Sequence, residues 1–322
     1  MGLSNLCDTG EHQMVKGNQT NVREFILLGD PQVQTFLFLM FLVIYLVTLV
    51  GNLLIMLVIR ADSHLHTPMY FFLFHLSFVD ICYSSITVPT MLMNFLAKHK
   101  IISVNGCVTQ MFFFILLAGT EVFILSAMAY DRYAAICDPL YYMEMMSKEI
   151  CVQLVSGAWT VGFLYALLNT IFTFKLDFCG PNQIRHFSCE LPPLLQLSCT
   201  DTFTNQVVLL ASAVILGAIS FLLTLISYIH IISTILRMPS VQSKRKAFST
   251  CSSHLIVVGL LYVAAFIQYT KSRSVSSVAV DEMVSIQYSI LTPMLNPIIY
   301  SLKNKEVKTA LRNLLGKFKF LK

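Results

Sequence analysis

The chain has 322 residues, 56% of them hydrophobic and only 12% charged, with a net charge of +5. A soluble domain usually carries about 25% charge, so this density is too low to cover a water-facing surface of this size. A basic nucleic-acid-binding domain and a charged disordered tail protein are excluded, and the density argues against an ordinary cytosolic enzyme.

The charges that exist are clustered. Residues 36–59, 81–97, 101–120, 150–174, 202–229, 255–270 and 283–302 contain none. A helix crossing a hydrocarbon core needs roughly 20 apolar residues. Three stretches meet this outright, and the rest do so with their flanks, provided Asp80 and Glu121 are tolerated inside. The expectation is an all-α membrane protein: a seven-transmembrane helix bundle with a short amphipathic helix after the seventh span. Its expected divisions are an extracellular segment over 1–35, a seven-transmembrane domain over 36–302 and a cytoplasmic amphipathic tail over 303–322.

The first 35 residues include Glu11, Lys16, Arg23, Glu24 and Asp30, which is unlike a signal peptide. The first span therefore reads as a retained anchor. With the N-terminus outside, fourteen of the 22 basic residues fall on inner segments and eight on outer ones. The third inner loop (Arg237, Lys244, Arg245, Lys246) and the seven basic residues of the tail decide that balance. Asn18-Gln19-Thr20 is an acceptor for N-linked glycan, which agrees with an outer N-terminus. The loops are too short for a soluble catalytic domain, and the spans lack the matched halves of many transporters.

Of nine cysteines, Cys82, Cys137, Cys151 and Cys251 lie in or beside spans, and Cys7 is near the N-terminus. Cys107, Cys179, Cys189 and Cys199 lie on the outer side, where disulfides are permitted. Four cysteines allow three pairings, and a zinc site is disfavoured by the ten-residue spacings and the lack of convergent histidines.

Ionisable residues inside a membrane span are costly and mark functional sites by default. Asp80 and Glu121 stand almost alone, with Asn52, Ser126 and Asn296 at matching depths. Such oxygens suit either a small hard cation or a purely structural polar network. Asp131-Arg132-Tyr133 closes the third span at the inner face. An arginine paired to a carboxylate is quiet, and once released it can engage another helix or a partner. Pro297, in Asn296-Pro297-Ile298-Ile299-Tyr300, weakens the last span. Tyr300, and Tyr228 near the end of the fifth span, are polar handles there. In the tail, Val307, Leu311, Leu314, Leu315 and Phe318 recur at roughly helical spacing among Lys305, Lys308, Arg312, Lys317 and Lys319. This pattern predicts an amphipathic helix on an anionic inner leaflet.

These segments together resemble the rhodopsin-like G-protein-coupled receptors, and within them the vertebrate odorant (olfactory) receptors of the tetrapod-type class. The resemblance rests on Pro68-Met69-Tyr70-Phe71-Phe72-Leu73, on Met128–Cys137, on Ser227-Tyr228, on Lys246–Leu255 and on Pro293–Tyr300, in order over nearly the full chain. One departure is visible: Gly259–Ala264 keeps Tyr262 of a common Phe-Tyr-Gly segment but replaces its neighbours.

The resemblance implies disulfides Cys107–Cys189 and Cys179–Cys199, and a sodium site of Asp80, Glu121, Ser126 and Asn296. The sodium ion, structural or allosteric, is the only cofactor-like group implied. It also implies an activation switch of Asp131, Arg132, Tyr228, Pro297 and Tyr300. The implied partners are a small volatile odorant and a stimulatory olfactory-type heterotrimeric G protein that raises cyclic AMP; no enzymatic activity is implied. By analogy the ligand residues are Phe114, Ile115, Ala118, Gly119, Ser212, Leu216, Tyr262, Phe266, Tyr269 and Ser289, a mostly apolar enclosure with a few hydroxyls. No acid stands at the level of Phe114, which argues against a biogenic amine ligand.

Overall fold

The computed structural model describes residues 24–27, 34–96, 101–178, 183–184, 188–270, 283–303 and 305–319. The long helices are α1 (Gln34–Ala61), α2 (Pro68–Leu96), α3 (Val104–Cys137), α5 (Lys148–Thr173), α7 (Phe203–Arg237) and α8 (Val241–Thr270). Short helices α4 (Tyr142–Met145) and α6 (Leu191–Leu195) lie between them. Residues 283–286 are helical and continue through a π-turn, Gln287–Leu291, into α9 (Thr292–Lys303); α10 (Lys305–Lys319) comes next.

Five helices are long and apolar enough to cross a membrane, and α8 is a sixth once its 42° bend between Ser249 and Cys251 is allowed. The seventh crossing, 283–303, is split by its π-turn. Position in the bundle follows burial. In α3, 67% of the most apolar stretch is buried, against 11% in α7. α3 is the central post, and α1, α5 and α7 turn residues such as Val50, Leu164 and Leu222 outward. This exposed apolar ring is what the scarcity of charge foreshadowed, because its solvent is lipid.

Without a hydrophobic drive between helices in lipid, close backbone approach does much of the holding. α3 and α5 meet at two glycines. A Cβ on Gly119 would sit 3.1 Å from the Gly162 Cα. A Cβ on Gly162 would collide with the Thr120 Oγ1 and lie 2.6 Å from the Leu116 carbonyl oxygen.

A second joint links α1 to α9. Pro297 has no N–H, so the carbonyl four residues earlier, Pro293, loses its helical donor. The Asn52 amide donates to that carbonyl at 3.0 Å, and also to the Thr48 carbonyl at 3.0 Å. Gly51 lets the Pro297 ring approach, since a Cβ there would be 3.1 Å from it. Asn52→Leu should therefore strand a buried carbonyl and lower stability by about 1–3 kcal/mol. Thermal unfolding of the solubilised protein reads this out, and an unchanged midpoint would refute the joint.

At the end of the bundle where α3 begins, a small sheet forms that has no counterpart in the sequence-based expectations. Strand β1 (Glu24–Leu27) lies between β2 (Ile101–Ser103), antiparallel, and β3 (Gln183–Ile184), parallel. At the opposite end of the bundle, α10 buries Val307 and Ala310 and leaves Lys308 and Arg312 exposed, as its amphipathic pattern required. The Tyr70 hydroxyl donates to Glu306 at 2.6 Å, tying α10 to the start of α2. The Lys244 ammonium donates to the Leu236 carbonyl at 3.0 Å, satisfying a free group at the end of α7.

Candidate functional site: a roofed cavity and two polar clusters

A cavity of about 260 Å3 opens between α3, α5, α7 and α8 below the outer segment. Helical spacing brings Phe114, Ile115, Ala118 and Gly119 of α3 onto its wall, with Glu121 and Val122 a turn or less deeper. Leu209, Ala213, Leu216 and Gly217 come from α7, and Leu261, Tyr262 and Ala265 from α8. Tyr83, Tyr165 and Tyr288 complete it.

The roof has a covalent origin. Cys107 at the start of α3 is bonded to Cys189. The Cys189 N–H donates to the Gln110 side-chain oxygen at 3.2 Å, and the Gln110 amide donates to the Ile86 carbonyl at 2.9 Å. The next residues, Glu190, Leu191 and Pro192, are thereby held over the cavity and line it. Glu190 is buried, and its carboxylate accepts from Ser188 at 3.0 Å, from Tyr288 at 2.7 Å and from Ser285. Tyr288 in turn packs edge-on against Phe114, at 5.6 Å between ring centres, and Phe114 lies tilted against Tyr83, at 5.0 Å.

Several sequence-based expectations for the cavity are corrected. Ser212 donates back to the Val208 carbonyl and Ser289 to the Ser285 carbonyl at 2.6 Å, and neither lines the cavity. A serine in a helix satisfies itself in this way when no better acceptor is near. Phe266 is 69% exposed on the lipid side. The Tyr269 side chain, Asn18 and Cys179 lie outside the described residues; Cys199 is disulfide-bonded.

Below the cavity lies the first polar cluster. The Asn296 amide donates to both Asp80 oxygens, at 3.1 and 3.0 Å. Glu121 is within electrostatic range of Asp80. Glu121 Oε1, Asn52 Oδ1 and Asn296 Oδ1 are buried without a hydrogen-bond partner. Ser126 is not part of this cluster. Its hydroxyl faces α7, donating to Val122 at 3.0 Å or Ser220 at 3.3 Å and accepting from Thr224 at 3.4 Å. Among the described residues no group of three His, Cys, Asp or Glu side chains could hold a metal ion.

The second cluster is at the C-terminal end of α3. Asp131 is fully buried and pairs with Arg132 through Nε, at 2.9 Å, and through Nη2. The Tyr142 hydroxyl of α4 donates to the other Asp131 oxygen at 2.8 Å. Burial, and then the Asp131 charge, push the Tyr142 hydroxyl above the usual tyrosine range, so it stays a neutral donor. Tyr228 is bonded to the His254 Nδ1 at 2.7 Å, and the His254 Nε2 donates to the Leu125 carbonyl at 2.9 Å. A carbonyl only accepts, so these partners fix the proton on Nε2 and make Nδ1 the acceptor. One imidazole thus joins α3, α7 and α8. Tyr300 is buried, and its hydroxyl has no partner.

The model of the olfactory receptor family matches residues 41–317. The chain belongs to the olfactory receptor family. It is 49% identical to olfactory receptor 5M5 of Mus musculus over 95% of this chain and 98% of that one. It is 50% identical to olfactory receptor 5A1 of Homo sapiens over 94% and 97%. Its fold matches squid rhodopsin with a TM-score of 0.67 at 15% identity, over 90% of this chain and 87% of that one. The receptor is therefore a multi-pass G-protein-coupled receptor and not an enzyme.

Sequence reasoning missed Glu190, Tyr83 and Tyr288 of the receptor's cavity. The cysteine beside Glu190 was the available signal, since a loop pinned to α3 has to cross the bundle's outer mouth.

Proposed function

We propose that the receptor binds a small, mostly apolar volatile molecule in the roofed cavity and activates a stimulatory heterotrimeric G protein, raising cyclic AMP. The observation that carries this reading is the cavity itself. It is enclosed by aromatic and aliphatic side chains with a few polar groups, the usual character of a small-molecule site. In this reading the N-terminus is extracellular, the tail is cytoplasmic on the plasma membrane's inner leaflet, and Asn18 carries a glycan.

The receptor's own residues supply the mechanism. Ligand packed against Phe114 and Tyr262 acts on α3 and α8. The Tyr262 hydroxyl donates to Ser220 at 3.1 Å, so movement of α8 is felt by α7. At the inner end the His254 node and the Asp131–Arg132–Tyr142 cluster hold the closed arrangement. An agonist shifts the population only by binding the open arrangement more tightly than the closed one. Opening exchanges these bonds and frees the Arg132 fork for the G protein.

The polar cluster under the cavity fits a sodium ion in part. Asp80 and Glu121 would hold it, with the free oxygens of Asn52 and Asn296 near; Ser126 faces elsewhere. When bound, the cation would offset one of the two neighbouring carboxylate charges.

Arg132→Ala should leave surface display measurable and lower odorant-evoked cyclic AMP at least about tenfold, since it removes a charge-assisted contact. Cells bearing the receptor and its G protein, given a volatile panel, provide the test. Unchanged signalling by the variant, or ligand uptake without any G-protein response in the wild type, would overturn the reading.

A further inference from the structure

A second groove lies beside the joint between α1 and α9. It holds about 110 Å3 between five residues of α1, from Val47 to Val58, Pro297 and Ile298 of α9, and Val307 and Leu311 of α10. Every lining residue is glycine, proline or a branched aliphatic, so a water molecule finds too few partners there. Val47 is 41% exposed, so the groove reaches the lipid-facing ring. Between Val47 and Val58 the helix rises about 16 Å, and the lining follows α1 lengthwise over that distance.

Cations stand at the α10 end of this strip. Arg60 lies two residues past Val58, Lys308 one past Val307 and Arg312 one past Leu311, and all three are exposed. Among the described residues none of them has an ion-pair partner. The neighbouring acids are engaged elsewhere: Glu306 accepts from Tyr70 of α2, and Asp62 accepts from the His64 N–H. An apolar strip that ends in unpaired positive charge is complementary to a lipid with an anionic headgroup.

We propose that the groove between α1, α9 and α10 is a site for one anionic phospholipid. One acyl chain lies along α1 against the Pro297 ring, and Arg60, Lys308 and Arg312 hold the headgroup. The chain packs the joint that Gly51, Asn52 and Pro297 make, so the bound lipid fastens the first span to the last. A phosphatidylcholine offers the same chain, but its quaternary ammonium meets three cations. Glycerol phosphate satisfies the cations and leaves the apolar strip empty. The site therefore needs both parts of the lipid. It stands apart from the cavity and from whatever ligand the cavity takes.

The test is lipid retention by the full-length solubilised receptor, counted by native mass spectrometry, together with its thermal unfolding midpoint. The probes are phosphatidylglycerol and phosphatidylcholine of equal chain length, and glycerol phosphate. Phosphatidylglycerol is expected to be retained, one molecule per receptor, at a concentration about tenfold or more below phosphatidylcholine, and to raise the midpoint. Lys308→Gln with Arg312→Gln should abolish that preference and leave the midpoint in phosphatidylcholine unchanged, since both residues are exposed. Leu54→Trp fills the strip without touching a charge and should lower retention of both lipids. Equal retention of the two lipids by the wild type overturns the proposal, as does a preference that survives the double substitution. Stabilisation by glycerol phosphate equal to that by phosphatidylglycerol, or retention unchanged by Leu54→Trp, overturns the seating of the chain. A receptor dimer that carries no lipid and is lost on Leu54→Trp puts a second copy in the groove and overturns the lipid assignment.

Discussion

Gly162→Val is expected to prevent α3 and α5 from docking and to remove most of the receptor from the cell surface. Two of the three atoms nearest a Gly162 Cβ are backbone, the Leu116 carbonyl at 2.6 Å and the Thr120 amide at 3.0 Å. Neither can rotate away, so the helices must separate. Separation loses the contact that lets α3 act as the central post, because α3 packs more extensively on α5 than on any other element. Overpacking typically costs 1–3 kcal/mol, and a clash with backbone belongs at or above the top of that range, about 3 kcal/mol. Gly157→Val, in the same helix, is the control, since nothing lies within 4 Å of its Cβ. Surface labelling and thermal unfolding of the two variants decide the matter. Equal display of both would refute the crossing as the reason for Gly162.

Cys189→Ser should be nearly as damaging, for a different reason. The disulfide closes a loop with a sequence separation of 82. Removing such a bridge typically costs about 2–5 kcal/mol. The loss is local as well: without the bridge, nothing covalent holds Glu190 against Tyr288 and Ser285, and the cavity loses its roof. Cys107→Ser and the double substitution should match Cys189→Ser, because the two sulfurs act as one unit. Display is the first readout, and thermal unfolding of whatever protein survives is the second. A Cys189→Ser receptor with wild-type display and a wild-type unfolding midpoint would show that the roof forms without the bridge.

The crossings were legible because lipid enforces them: a span cannot hide charge, so the gaps between charges mark it. The α3 wall of the cavity was legible for a similar reason. Phe114, Ile115 and Ala118 share a face by spacing alone, and the structure keeps them together. The seventh helix was not legible in the same way. Its π-turn, Gln287–Leu291, widens one turn and rotates the residues after it by about 100° relative to an ideal helix. Ser289 was expected at the cavity only by analogy; in the structure Tyr288 of the π-turn lines it and Ser289 donates to the Ser285 carbonyl. The serines failed more generally. Composition counts Ser126 and Ser212 as available hydroxyls, but each donates to a carbonyl of its own helix. Glu190 escaped because its position depends on a bridge between distant residues, which no local periodicity encodes.

The polar joints obey a common rule that the sequence states only in part. Asn296 and Asp80 were marked by their depth, and they do meet. What depth alone does not show is why Asn52 belongs with Pro297. The proline removes a donor, the carbonyl of Pro293 is left open, and a side chain from another helix supplies what is missing. The pair is visible only once the two spans are known to be neighbours.

The small outer sheet sets an order of assembly. Its central strand, Glu24–Leu27, is synthesised before either neighbour, yet it pairs with Ile101–Ser103 and Gln183–Ile184. A chain emerging from its N-terminus therefore carries an unmated strand through the insertion of α1 and α2, and keeps one open edge until α5 is in place. Exposed edges of this kind invite association with other chains and dependence on chaperones during synthesis. Pairing with Ile101–Ser103 can begin as soon as that strand is made, but the clasp closes only after Gln183–Ile184 follows, past the midpoint of the 322-residue chain.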